Sequence, residues 1–198
     1  MKLQLLKRSL IVILTLWILC PSQFVSASPY EREVSRIAGL IDAEINPGSV
    51  ESSLDVYQLA RHIVVLSRDY HIDPLLILSV VKVESQFKPN ARSHSGAIGL
   101  MQVMPIVIRC VGSEVDVSKK VELYDPYKNL RLGVHYLTFL KEKYRNNMQK
   151  ALSAYNIGPT ALDEFISQQQ FIPSSYYRRV MQSYKNFQKM ALVHPEIT

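Results

Sequence analysis

The chain has 198 residues, of which 47% are hydrophobic and 20% are charged, and it contains no internal repeat or low-complexity tract. This composition is typical of a globular protein and excludes a disordered or fibrous one. The length is sufficient for one domain with a sizeable hydrophobic core.

The first 27 residues have the pattern of a secretory signal peptide. Lys2, Lys7 and Arg8 precede an apolar run at residues 9 to 19, and small residues offer a cleavage site after Ala27. The apolar run is shorter than the roughly 20 residues that span a bilayer. We therefore predict that residues 1 to 27 are removed on export. An uncleaved anchor is the alternative.

Loss of this segment removes three basic residues and no acidic residue, so the formal charge falls from +6 to +3. Such a weak excess does not indicate a nucleic-acid partner, but it suits loose attraction to an anionic polymer outside the cell. Cys20 follows Leu19, whereas lipoprotein signals place a small residue there, so we assign Cys20 to the discarded peptide. Cys110 then has no disulfide partner. Because it lies in an apolar run, we expect a buried thiol.

The mature chain is predicted to start with an N-terminal helix and linker at residues 28 to 52, the helix covering residues 31 to 45. Turn residues at positions 46 to 49 close this helix. The main domain is predicted at residues 53 to 190, with a C-terminal tail at residues 191 to 198.

Two helices are predicted at the start of the main domain. The second is capped by Asp73, has Pro74 in its first turn, and is predicted to end at Pro89. It is apolar on nearly all sides, so we expect it to be buried. The first of these two helices has an amphipathic stripe whose residues recur three or four positions apart. The stripe consists of Val56, Leu59, Ala60, Ile63, Val64, Ser67 and Tyr70.

Small and polar residues at positions 90 to 99 predict a loop with at most a short β-hairpin. A short helix is predicted at residues 105 to 111, followed by a polar loop and a helix that begins at Asp125-Pro126. The inner side of that helix is predicted to carry Leu130, Val134, Leu137, Phe139 and Leu140. Three more helices are predicted around residues 149 to 156, 160 to 166 and 174 to 190. The fold class is therefore mostly α, a helical bundle with a minor β-hairpin element.

Glu84 stands at the end of the buried second helix. One and two turns before it lie Val81, Val80 and Ile77, so its side chain follows the apolar stripe, whereas Lys82 points elsewhere. Desolvation raises the pKa of a carboxyl group. A carboxylic acid that stays protonated near neutral pH is what a general acid requires. The alternative is that Glu84 turns outward at a fraying helix end.

The stretch "KVESQFKPNARSHSGAIGLMQVMP" at residues 82 to 105 resembles the lytic transglycosylases, enzymes that cut bacterial peptidoglycan. Further blocks, "YDPYKNLRLGVHYL", "ALSAYNIGP" and "YYRRVMQSY", match in the family's order. The resemblance covers roughly residues 56 to 184. It implies the lysozyme-like fold of goose-type lysozyme, an α+β arrangement around a glycan-binding cleft.

The resemblance also implies roles for six positions. Glu84 matches the family's single catalytic acid and base. Five others match residues near the substrate: Ser93, Gln102, Met104, Tyr155 and Asn156. The tyrosine and asparagine match a pair that faces the glutamate. Structural roles are the alternative, since Ser93 could stabilise a turn and Met104 or Tyr155 could belong to the core.

The implied reaction breaks the β-1,4 bond between N-acetylmuramic acid and N-acetylglucosamine and leaves 1,6-anhydromuramic acid ends. Glu84 acts first as acid and then as base, and no metal or cofactor is implied. One alternative is a hydrolytic muramidase of the same fold, which needs an acidic side chain from residues 112 to 122 opposite Glu84. Another is a non-catalytic peptidoglycan-binding domain.

The implied partner is the peptidoglycan glycan strand, with no nucleic acid. We expect a monomer in the periplasm or cell envelope, where a component of envelope-spanning machinery is a possible protein partner.

Overall fold

The computed structural model describes residues 27–45 and 54–193. The chain divides into two compact units, Met1–Tyr30 and Glu31–Thr198, and the features below belong to the second, apart from Pro29 and Tyr30 at the start of the first helix. The described residues form mostly α-helix, as predicted. The helices are α1 Pro29–Glu44, α2 Val56–Asp69, α3 Pro74–Ser85, α4 Ile106–Val111, α5 Pro126–Lys143, α6 Met148–Ile157, α7 Pro159–Ser167 and α8 Ser175–Val193, with 3₁₀ helices at Gly112–Val115 and Lys120–Tyr124.

Side-chain caps explain where several helices begin. Asp73 accepts a hydrogen bond from the backbone N–H of Leu75 at 2.8 Å, and Pro74 occupies the first turn of α3. Asp125 caps α5 in the same way and accepts from the N–H of Tyr127 at 2.9 Å. Both predicted caps are confirmed. They satisfy backbone donors that have no partner within the helix.

Helix α3 is the centre of the hydrophobic core. It packs chiefly against α8 and also against α2. Four of its apolar side chains have no exposed surface: Ile77, Leu78, Val80 and Val81. Burial of one such aliphatic side chain stabilises the fold by about 1.5–3 kcal/mol. The predicted burial of this helix is confirmed, and the last turn of α3 is consequently held rigidly.

The predicted β-hairpin is not formed. The loop between α3 and α4 contains only two isolated antiparallel bridges, and the described residues include no strand. One bridge joins Ile98 to Val103, with backbone bonds of 3.1 and 2.9 Å. Tight turns at Gly96 and Gly99, where φ is +90° and +80°, leave no room to extend a ladder.

Helix α3 ends four residues before the predicted stop at Pro89. Gln86 and Phe87 adopt left-handed backbone conformations with φ of +52° and +63°. Phe87 turns inward and is buried. The inward packing of this aromatic ring, rather than the proline, ends the helix directly after Ser85.

Two predicted core positions are wrong. Cys110 is exposed, because Val107 and Val111 occupy the buried face of the short helix α4. Phe139 is 42% exposed and its ring stacks on Tyr136 with centroids 6.3 Å apart. The other four predicted inner residues of α5 are fully buried.

The predicted signal peptide and the turn at residues 46 to 49 lie outside the described residues, apart from Ala27. Only residues 191 to 193 of the predicted C-terminal tail are described, and they complete α8. In the described part of the chain, no helix is both long and apolar enough to cross a membrane.

Candidate active site

Glu84 lies in the last turn of α3 and is only partly exposed. The residues one turn before it, Val80 and Val81, have no exposed surface. Lys82 points away, as predicted, and its ammonium group pairs with a carboxylate oxygen of Glu44 at 2.6 Å. The rigid apolar helix therefore presents one carboxyl group at the edge of the core.

Among the residues that the structure describes, the Glu84 carboxyl group has one direct polar partner. The hydroxyl of Tyr176, at the start of α8, donates a hydrogen bond to Glu84 Oε1 at 2.5 Å. Burial raises the pKa of Glu84, while the Tyr176 hydrogen bond and the positive charge of Arg179 lower it by less. The net increase in pKa favours the protonated acid, which is the form that can donate a proton.

A chain of tyrosine rings leads away from this carboxyl group. Tyr176 stacks on Tyr155 with ring centroids 6.4 Å apart, and Tyr155 contacts Tyr136 at 5.7 Å. The Tyr155 hydroxyl donates to the backbone oxygen of Met101 at 2.9 Å. Burial raises the pKa of Tyr155 well above its usual range, and the nearby charge of Glu84 adds to this effect. Tyr155 is thus a neutral hydrogen-bond donor whose ring lies close to Glu84.

A cavity of about 660 Å³ adjoins these rings. Four of the six predicted site residues line it: Gln102, Met104, Tyr155 and Asn156. The remaining lining is largely apolar and includes the ring of Tyr136, as is common in ligand-binding cavities. One carboxylate, Glu164 on α7, also lines the cavity and is exposed.

Glu84 and Ser93 are outside this lining. The tyrosine stack connects Glu84 to the cavity through Tyr176 and Tyr155. Ser93 lies in the turn of the α3–α4 loop, where its hydroxyl oxygen accepts from the N–H of Ala97 at 3.0 Å. The structure thus gives Ser93 the turn-stabilising contact that was the alternative to a substrate contact.

Gln102 shapes the wall of the cavity. Its backbone is left-handed, with φ of +47°, and its amide nitrogen donates to the oxygens of Ala91 and Gly99 at 3.1 and 3.0 Å. The side chain therefore braces the loop that it belongs to. Met104 is 37% exposed and faces the cavity from the same loop.

Asn129 fixes this loop to α5. Its side chain is fully buried; its oxygen accepts from the N–H of Met101 at 2.9 Å, and its nitrogen donates to the oxygens of Ile98 and Leu123 at 2.8 and 3.0 Å. A Cβ atom at Gly99 would lie 2.3 Å from the Asn129 amide nitrogen, so only glycine fits there. These contacts hold the cavity wall against the helix bundle.

Sequence reasoning missed Tyr176 as a site residue. The sequence did indicate that Glu84 needs a distant partner. A buried carboxyl group is normally hydrogen-bonded, and no basic residue lies one helical turn before Glu84. "YYRRVMQSY" begins with Tyr176 and had already matched a family block. The hydrogen bond spans 92 positions of sequence.

Two acidic side chains of the loop between α4 and α5, those of Glu114 and Glu122, are engaged in local contacts, whereas Asp116 is exposed. Glu114 contacts the ring nitrogen Nε2 of His135 at 3.1 Å. Glu122 pairs with Lys128 and accepts from the backbone N–H of Ser118 at 2.9 Å, and these contacts, that of Lys128 first, lower the pKa of Glu122 to about 2. Neither carboxylate lines the cavity beside Tyr155. In the described ranges, no three His, Cys, Asp or Glu side chains are grouped as metal ligands.

The profile of the transglycosylase SLT domain matches residues 63–177. A protein from Histophilus somni named membrane-bound lytic murein transglycosylase C is 42% identical over 105 residues, which are 47% of this chain and 29% of that protein. A protein of the same name from Mannheimia succiniciproducens is 37% identical over 142 residues, which are 65% of this chain and 39% of the relative. The chain thus spans well under half the length of these relatives.

The 70 kDa soluble lytic transglycosylase SLT70 from Escherichia coli has a similar solved structure. The TM-score is 0.58 at 20% identity, over 84% of this chain and 31% of that one. This likeness confirms the predicted lysozyme-like helical fold.

Proposed function

Because the chain belongs to the transglycosylase SLT domain family, we propose that it is a peptidoglycan lytic transglycosylase with Glu84 as its catalytic acid and base. The observation that carries the proposal is the partly buried Glu84 carboxyl group, whose pKa is raised and which accepts a hydrogen bond from Tyr176 beside an aromatic cavity. The bond broken is the β-1,4 link between N-acetylmuramic acid and N-acetylglucosamine.

The first step is proton transfer to the leaving sugar. Protonated Glu84 gives its proton to the oxygen that bridges the two sugars, and the bond from that oxygen to C1 of muramic acid breaks. The carbonyl oxygen of the muramic N-acetyl group bonds to C1 and forms an oxazolinium ring. The substrate thereby supplies the nucleophile that a second carboxylate supplies in most glycosidases.

The second step returns the proton. The Glu84 carboxylate takes the proton of the C6 hydroxyl, the C6 oxygen bonds to C1, and the bond from the N-acetyl oxygen to C1 breaks. The product is a 1,6-anhydro ring, and no water is consumed. The Tyr176 hydrogen bond stabilises the carboxylate that exists between the two steps, because it favours the charged form.

The glycan strand is proposed to lie in the cavity beside Tyr155. Met104 and Tyr155 would contact sugar rings, and Asn156, which is exposed, would donate to a sugar oxygen. Gln102 would act through the loop shape that it maintains. A contact of Ser93 with the substrate stays part of the proposal, and its hydroxyl proton is free to donate while the oxygen accepts from Ala97.

Hydrolysis by the same fold is the second candidate, and one observation favours it. Glu164 places a carboxylate in the cavity lining, where it could orient a water molecule. Mass spectrometry of muropeptides released from purified peptidoglycan by residues 28 to 198 separates the two. We expect 1,6-anhydro ends as the main product. Reducing ends that disappear in Glu164→Gln would overturn the proposal in favour of a hydrolase.

The relatives named above are called membrane-bound, and we propose that this chain also acts in the cell envelope after export. Its proposed partner is peptidoglycan, without nucleic acid. A monomer is sufficient for the mechanism, since every proposed residue comes from one chain. N-terminal sequencing of the exported protein tests the cleavage after Ala27.

A further inference from the structure

A second cavity, of about 690 Å³, lies next to the Glu84 partners. Its lining includes Lys82 of α3, Arg178 and Arg179 of α8, and Glu44 at the end of α1, and the rest is serine and amide side chains. Arg179 connects this cavity to the acid, because its guanidinium lies 5.6 Å from the Tyr176 ring and its charge acts on Glu84. We call this cavity the basic pocket.

The basic pocket carries an excess of positive charge. Glu44 neutralises Lys82 at 2.6 Å, which leaves the two arginines. Neither of them forms an ion pair with any residue that the structure describes. Arg178 donates to the Ser174 hydroxyl at 2.9 Å, which orients its guanidinium. Both side chains are exposed and therefore accessible to a ligand.

Two guanidinium groups that line the same cavity favour a carboxylate-bearing ligand, because each can form two parallel hydrogen bonds to a carboxylate. The glycan backbone of peptidoglycan carries no charge, whereas the stem peptides on its muramic residues carry free carboxylates. We propose that the basic pocket binds carboxylates of the stem peptide on the strand being cleaved, an inference that rests on the proposed function.

The position of the pocket agrees with this ligand. The muramic residue must place its C1 beside Glu84, and its peptide is attached to the same sugar ring. The Arg179 guanidinium lies over the Tyr176 ring, and the hydroxyl of that ring is hydrogen-bonded to the Glu84 carboxyl. A stem peptide on this sugar is therefore proposed to enter the basic pocket at Arg179. The cavity beside Tyr155 takes the uncharged sugars, and the basic pocket takes the charged peptide.

The test compares two substrates that differ only in the charge of the stem peptide: glycan strands whose peptides keep their free carboxylates, and the same strands after those carboxylates have been converted to primary amides. For Arg178→Gln we expect kcat/KM on the strands with free carboxylates to fall about two- to fivefold, the range expected for an exposed ion pair. The fall on the amidated strands should be smaller, so the ratio of the two values decreases. Arg178→Lys keeps the charge and should retain part of the preference.

Lys185→Gln is the matched control. It removes one positive charge from the same helix at an exposed position outside the pocket lining. We expect its substrate ratio to equal that of the wild type. Because the charges are exposed, the wild-type preference for strands with free stem-peptide carboxylates should decrease as salt increases. An Arg178→Gln ratio equal to that of the wild type, or an equal ratio shift in Lys185→Gln, overturns the proposal.

A binding experiment separates this proposal from the proposed function. The free stem tetrapeptide is titrated into the wild-type protein and into Arg178→Gln, and binding is followed by NMR of the arginine side chains. We expect shifts at Arg178 and Arg179 in the wild type and weaker binding in the variant. Binding without cleavage of either strand would refute the lytic function but support the pocket, whereas cleavage without any shift would refute the pocket alone.

Discussion

Substitution of Asn129 by alanine is predicted to loosen the wall of the substrate cavity. The Asn129 side chain is the buried link between α5 and the loop that carries Gln102 and Met104. Alanine removes the acceptor of the Met101 N–H and the donor to two backbone oxygens. These backbone groups would lose their partner in a site that water does not reach freely.

The magnitude follows from counting the groups that lose a partner. The Ile98 oxygen also accepts from the N–H of Val103 at 2.9 Å, so its loss is partial. The Met101 N–H and the Leu123 oxygen bear the main cost, at about 1–3 kcal/mol for each unsatisfied buried group. We expect the free energy of unfolding to fall by about 2–6 kcal/mol, which for this size lowers Tm by roughly 4–24 °C.

The assay is urea denaturation together with wall clearance by the same preparation. Glu142→Ala, at an exposed position of α5, is the control and should change stability by less than about 0.5 kcal/mol. Because a displaced binding loop misplaces the substrate, activity at a temperature where Asn129→Ala is folded should fall by at least about tenfold. A loss of stability below about 1 kcal/mol would refute the assigned role of Asn129.

Three further predictions concern the acid and the packing of α5. Glu84→Gln should lower the rate of cleavage, measured by the turbidity of cell walls, by at least the roughly 10²–10⁴-fold that general acid–base catalysis supplies. The variant should remain folded, because its amide oxygen can still accept the Tyr176 hydrogen bond. Burial raises the pKa of Glu84 in the folded protein above its unfolded value of about 4.3. The wild type therefore loses stability as pH rises from the unfolded pKa through the folded pKa. The Tm of Glu84→Gln should accordingly exceed that of the wild type by more at pH values well above the folded pKa than at pH values below about 4. Tyr176→Phe removes a hydrogen bond that lowers the pKa of Glu84, so the alkaline limb of the pH–rate profile should move to higher pH, and an unmoved limb would contradict the contact. Gly133→Ala places a Cβ about 2.5 Å from Met101 Sδ, so it should destabilise by about 1–3 kcal/mol even though alanine favours a helix; increased stability in urea would contradict this packing.

The helices were predictable because their signals are local. Residues of the α2 stripe recur at helical spacing, and Asp73 and Asp125 cap helices with hydrogen bonds to residues two or three positions away. The apolar sequence of α3 predicted its burial. These features depend on side chains within one or two turns, and a single sequence contains that information.

The errors involve contacts between distant parts of the chain. Phe87 ends α3 by packing inward, which no local pattern near Pro89 indicated. Cys110 is exposed on α4 because Val107 and Val111 occupy the side that faces the core. In a six-residue helix, apolar residues on both faces do not show which face is buried.

The candidate site was predictable in part. Family resemblance indicated four residues that line the cavity, and the apolar stripe before Glu84 predicted its burial. Ser93 makes a turn contact instead of lining the cavity. Tyr176 and Asn129 were not assigned to the site, because their contacts to Glu84 and Met101 span 92 and 28 positions of sequence.

The origin of the oxygen in the product tests the central claim most directly. Purified peptidoglycan is digested in heavy-oxygen water by the wild type and by Glu84→Gln, and the new sugar ends are examined by mass spectrometry. We predict anhydro ends that contain no heavy oxygen and are lighter by one water than hydrolytic ends, and none above background for Glu84→Gln. Heavy oxygen in the new ends, or unchanged cleavage by Glu84→Gln, would contradict the account.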